Sequence, residues 1–128
     1  MTITTSENNP YIETPLVHSH ELSKLAPCKV LLKQEFLQPA GSYKIRGISN
    51  HIGKELEVIR KRDSEAQVIV VAASGGNAGN AVSYAARYFG LVSVIVVPVT
   101  TPTKMLQKIQ GNGARVISQG NNIGEADE

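Results

Sequence analysis

Residues 68–73, Val-Ile-Val-Val-Ala-Ala, form an uninterrupted apolar run that stops abruptly at Ser74-Gly75-Gly76-Asn77. A short run rich in β-branched residues and bounded by glycine reads as a strand buried on both faces, which calls for covering layers around a sheet. The next residues supply a cover. Ala78, Ala81, Val82, Ala85, Ala86 and Phe89 recur at helical spacing, and Gly90 stands where a helix terminates. Residues 92–97 are a second apolar run, after which Thr101 and Pro102 offer a cap and a first helical residue. Met105, Leu106 and Ile109 then share a face up to Gly111-Asn112-Gly113, and residues 114–118 read as a third strand. Strand and helix alternating with links this short predict an α/β fold, a parallel sheet with flanking helices.

The upstream residues are less regular. Residues 1–10 are rich in Thr, Ser and Asn and read as a loosely attached lead-in. Ser19 is placed to cap a short helix ending near Ala26, because Pro27 disfavours helical geometry in the residue before it. Residues 29–36 read as a strand. Beyond Pro39 and Gly41, Ser42 is placed to cap a helix whose apolar residues Ile45, Ile48, Ile52, Leu56 and Ile59 form one stripe. Its polar end, residues 60–65, reads as a solvated tail and linker. The predicted units are therefore a lead-in over 1–13, a segment over 14–62 and an α/β unit over 63–128. Residues 121–128 have the acidic bias of a helix's first turn with no helix after them, so the pattern is expected to stop midway.

Two stretches carry chemistry. In Gly41-Ser42-Tyr43-Lys44-Ile45-Arg46-Gly47, the lysine falls in a first helical turn, where the helix dipole opposes an ammonium and favours the neutral, nucleophilic amine. Position alone favours reading Lys44 as a surface lysine with its stem along the helix. Ser74-Gly75-Gly76-Asn77-Ala78-Gly79-Asn80 lies at the carboxyl end of a strand and opens a helix, where α/β proteins bind anions on backbone N–H groups. Its spacing is neither G-x-G-x-x-G nor Walker A, and a tight glycine turn is the alternative.

Other classes are excluded or disfavoured. A formal charge of +2, with no basic stripe and no Trp, argues against nucleic acid. No run approaches the ~18 apolar residues of a membrane span. Cys28 is the only cysteine, and His18, His20 and His51 lack ligand spacing, so no disulfide and no metal site is expected and a reducing, cytoplasmic compartment is.

Taken together, residues 41–47 and the Ser-Gly-Gly-Asn-Ala-Gly of 74–79 closely resemble the fold-type II pyridoxal-phosphate enzymes, tryptophan synthase β-like in architecture, and within them the L-serine/L-threonine dehydratases. The resemblance implies that Lys44 holds pyridoxal 5'-phosphate as a Schiff base and removes the substrate Cα proton. It places Tyr43 where an aromatic, usually Phe, packs on the pyridine, and Asn77 on the cofactor's 3-hydroxyl. Ser74, Gly75, Asn77 and Ala78 then belong to the loop that takes the substrate carboxylate. The implied activity is deamination of L-serine, and of L-threonine, to a 2-oxo acid and ammonia, with Asn77-Ala78-Gly79 resembling the catabolic serine dehydratases. Departures from the pattern are Tyr43 for Phe, Ala73 where a second serine is common, and Gly75 for Ala.

The family's phosphate loop and its Ser or Cys at the pyridine nitrogen are not recognisable here, since neither 111–113 nor 120–124 resembles that loop. The resemblance thus implies that 14–62 belong to a large cofactor domain and 63–128 to most of a smaller substrate-loop domain. A truncated N-terminal portion, inactive alone and associating with itself or a full-length relative, is the expectation. A non-catalytic remnant or anion-binding α/β module is the other reading.

Overall fold

A computed structural model describes residues 9–127; the first eight residues of the predicted lead-in lie outside it. Its centre is a three-stranded parallel sheet of β3 (Ile69–Ala73), β4 (Val92–Val97) and β5 (Arg115–Ser118), in that order. Val71 pairs with Val94 and Ile95 with Val116. The connections are α3 (Asn77–Tyr88) and α4 (Thr103–Gly111), which confirms the strand and helix alternation read from the apolar runs. The long helix α2 (Lys44–Arg62) packs on α3.

One core joins them. Ile45 and Ile52 of α2 meet Ala81, Val82 and Ala85 of α3, Ile95 and Val97 of β4, Ile109 of α4, and Ala40 and Ala114. Ile45, Ile95 and Ile109 are completely buried, each contributing about 1.5–3 kcal/mol by transfer from water. The alanines on α3 let the α2 backbone come close, so the lysine-bearing helix is fixed to the sheet through small side chains.

Several expectations are corrected. β3 is not buried on both faces: Ile69 is 59% and Val71 65% exposed, while Val70 and Ala72 pack on the core. A continuous apolar run cannot tell one covered face from two, and here the helices of the core cover the inward side. Only Leu31–Lys33 (β2) of the predicted 29–36 strand is extended; it pairs antiparallel with β1 (Leu16–His18), which the sequence reading missed. The chain then tightens into a 3-10 turn, Glu35–Leu37.

Helix starts shift as well. Ser19 caps α1 (His20–Lys24) as expected, accepting from the Leu22 N–H. Ser42 does not cap α2; Tyr43 holds the cap position without a side-chain bond, and the Ser42 hydroxyl is buried without a partner. α4 begins at Thr103 with Pro102 as its cap, one residue later than Thr101-Pro102 suggested. A fifth helix, α5 (Ile123–Asp127), forms where the pattern was expected to stop. Within the predicted lead-in, Ile12 is buried and bracketed by Gln38, which accepts from its N–H at 3.0 Å and donates to its carbonyl at 2.9 Å.

Candidate active site

Lys44 opens α2 on a turn held from several sides. Gly41 adopts φ +72, a left-handed conformation that favours glycine, and its N–H donates to the Gln38 carbonyl at 2.7 Å. Two residues into α2, the Arg46 guanidinium donates to both oxygens of Glu35 at 2.9 Å, a bidentate pair bracing the 3-10 turn against the helix. The Arg46 hydrogen bond lowers the Glu35 pKa to about 2, against partial burial that would raise it; hydrogen bonds from Thr14 and Gln38 assist. Arg46 also lies over the Tyr11 ring, 5.2 Å from its centroid.

On this platform the Lys44 side chain is exposed, with Nζ 5.1 Å from the centroid of the Tyr43 ring, itself 59% exposed. No carboxylate pairs with Lys44 among the described residues.

The second stretch begins where β3 ends. The Ser74 N–H donates to the Val96 carbonyl at 2.9 Å, carrying the ladder one residue past β3, and the chain turns through Gly75 and Gly76 into α3. Gly76 caps α3 without a side-chain hydrogen bond, leaving the first-turn amides unclaimed by any capping side chain. Close packing explains two glycines. A Cβ on Gly79 would overlap the Ser74 carbonyl oxygen, and one on Gly75 would overlap the Thr101 hydroxyl. Asn77, first residue of α3, is exposed, and Ala78 is half-buried.

A buried hydrogen bond joins the two stretches. Asn80 of α3 donates from Nδ2 to the carbonyl of Ala40 at 2.9 Å, tying the residue before Gly41 to the first turn of α3. Lys44 and Asn77 are thus the first residues of two helices whose starts are linked and whose flanks share a core. Sequence reading missed Asn80, Asn112, Glu35 and Arg46 as supports. The available signal for Asn80 was a polar residue on a helix face otherwise made of alanine and valine. An open apolar groove of about 490 Å³ runs between α2 and β3, and Tyr43, Lys44 and residues 74–78 do not line it. No histidine, cysteine and carboxylate cluster suited to a metal occurs among the described residues.

The sequence profile of the pyridoxal-phosphate dependent enzymes matches residues 8–128. The chain belongs to that family. A Saccharomyces cerevisiae protein bearing the name of a truncated L-serine dehydratase is 42% identical over 118 residues, covering 92% of either chain. The mouse L-serine dehydratase/L-threonine deaminase is 38% identical over 94% of this chain and 35% of its own length. A fungal L-serine ammonia-lyase from Rhizomucor miehei superposes with a TM-score of 0.81 at 35% identity, over 93% of this chain and 36% of that one. The chain therefore spans about a third of the length of these two longer relatives.

The family's cofactor is pyridoxal 5'-phosphate, and part of this surface suits it. An exposed amine beside an aromatic face and an exposed amide at the start of a second helix are the kinds of group its aldehyde and ring require. Its phosphate has no counterpart in the other glycine segments. Asn112 is turned inward to Asn80 and Ser83, at 3.0 and 2.9 Å. The Glu125 carboxylate already accepts from the Asn121 N–H and Nδ2 and from Asn122 Nδ2, so an internal anion fills the 120–124 loop. Those bonds, the Asn121 backbone N–H foremost, lower the Glu125 pKa.

Proposed function

We propose that this chain supplies the lysine and the amino-acid loop of an L-serine ammonia-lyase that also accepts L-threonine. The observation that carries the reading is an exposed lysine opening one helix, without a carboxylate partner among the described residues, and a second helix on the same core whose start has no capping side chain. The names of the mouse and Rhizomucor miehei relatives support the substrate class.

In this reading Lys44 would hold the cofactor covalently through Nζ and, when not so bound, would take the substrate Cα proton at that same atom. The Tyr43 ring offers a flat apolar face to the pyridine, and the Asn77 amide donates to the ring hydroxyl. The amides of α3's first turn, with the Ser74 hydroxyl, hold the substrate carboxylate, where the helix dipole favours negative charge. Gly75 and Gly79 let the loop pack against Thr101 and the Ser74 carbonyl, which fixes the backbone that presents those amides. Bound pyridoxal phosphate supplies the electron sink for the Cα carbanion. The net change releases ammonia and a 2-oxo acid, pyruvate from L-serine and 2-oxobutanoate from L-threonine.

The predicted division is proposed with it: 14–62 as the lysine-bearing part of a cofactor domain, 63–128 as most of a substrate-loop domain. Exposed Ile69, Val71 and Val92 support association with a second copy or a longer relative. The single exposed cysteine, Cys28, is consistent with a reducing, cytoplasmic location. The test is a spectroscopic titration: pyridoxal phosphate added to the chain develops the visible band of the lysine-bound cofactor, and Lys44→Ala abolishes it. A band of equal strength in Lys44→Ala refutes the assignment.

A further inference from the structure

We propose that Asn80 is a positioning residue for Lys44, acting through the carbonyl of Ala40; the inference rests on the reading of Lys44 given above. Asn80 sits on the inward face of α3 among Ala81, Val82 and Ala85, and is itself only 7% exposed. For packing alone this is a poor choice. A buried amide loses hydration that an apolar side chain never had, and Asn is a weaker helix former than Ala or Leu.

The amide has one orientation that satisfies its neighbours. Its Oδ1 accepts from Asn112 Nδ2 at 3.0 Å, so Nδ2 faces the Ala40 carbonyl. Asn112 is fixed in turn: it follows α4 and also donates to the Ser83 hydroxyl, which donates to the Asn80 carbonyl at 2.8 Å. The end of α4 thus orients the Asn80 amide, and Asn80 alone carries that orientation to the Ala40 carbonyl oxygen. From Ala40 the path to Lys44 is three residues, through Gly41, the buried Ser42 and Tyr43.

On the other side Gln38 is held to Ile12, so the Ala40 bond is a polar tie from this turn to α3, added to the packing of Ile45 against the α3 alanines. Without it the Ala40 carbonyl is buried and unpaired, and Gly41 is the residue able to swing toward water. A displacement of the lysine by ~1 Å relative to the carboxylate loop is enough to cost about 100-fold in a reaction that depends on alignment.

The test uses the full chain with Asn80→Leu, which keeps volume and removes the donor, and Asn112→Leu, which removes only the orienting partner. The first readout is the rate at which pyridoxal phosphate becomes attached to Lys44. The second, on the chain without cofactor, is acetylation of Lys44 relative to Lys54 and Lys104, read by mass spectrometry. Asn80→Leu is expected to slow attachment by about 10-fold or more and to change the Lys44 ratio, with a smaller effect for Asn112→Leu. Wild-type values of both readouts in Asn80→Leu overturn the proposal, whatever the melting temperature does. Should Asn80→Leu fail to fold, the same readouts on Asn80→Ser decide. If the wild-type chain attaches no pyridoxal phosphate at Lys44, the functional reading falls, and an unchanged acetylation ratio then overturns this inference separately.

Discussion

Replacing Glu35 with Gln is expected to loosen the platform beneath Lys44 in a pH-dependent way. The carboxyl titrates near 4.5 when unfolded and at about 2 when folded. A shift of that size corresponds to about 3 kcal/mol of stability before screening. The Arg46 side chain is 34% exposed and that of Glu35 17%, so solvent reduces the figure to about 1–2 kcal/mol. Because the folded value is the lower one, the contribution is fully present above pH 4.5 and disappears as pH falls toward 2. Urea unfolding of both proteins from pH 7 to pH 2.5 measures it. Glu35→Gln should be less stable by about 1–2 kcal/mol at pH 7 with an unchanged m-value, and the gap should close on acidification. Equal stabilities at pH 7, or a gap that persists at low pH, would refute the reasoning.

Gly79→Ala drives a Cβ into the Ser74 carbonyl, a contact between backbone segments that cannot yield, and should cost about 1–3 kcal/mol or more, whereas Gly76→Ala meets nothing within 4 Å and should melt close to wild type. Gly75→Ala collides with Thr101, and a thermal-melt double-mutant cycle should show Thr101→Ala recovering most of the loss. Val71→Lys on the exposed face of β3 should reduce concentration-dependent association in sedimentation velocity while changing stability by less than about 0.5 kcal/mol.

The half of the chain built on βα alternation was legible because its signals are local. Apolar runs, the Gly90 stop and the Gly111-Asn112-Gly113 stop each mark an element without reference to a partner. Where a partner decides, the sequence was silent. Leu16–His18 is extended because Leu31–Lys33 pairs with it, and three residues are too few to show a period. Glu35 and Phe36 leave the predicted strand because Glu35 is drawn to Arg46, eleven positions away. Ser42 has the chemistry of a cap, yet burial beside Ala40 takes it out of the cap position.

At the candidate site the reactive groups were legible and their supports were not. Lys44 and Asn77 stand in recognisable motifs, whereas the Asn80 bond to Ala40 spans 40 positions, and only the folded chain brings the two together.

The most direct measurement is chemical. The chain is incubated with pyridoxal phosphate, reduced with borohydride and digested, and the modified peptide is sequenced by mass spectrometry. A pyridoxyl group on Lys44, in excess over Lys24, Lys54 and Lys104, is the predicted result. Labelling spread evenly over the exposed lysines, or absent from Lys44, would contradict the account.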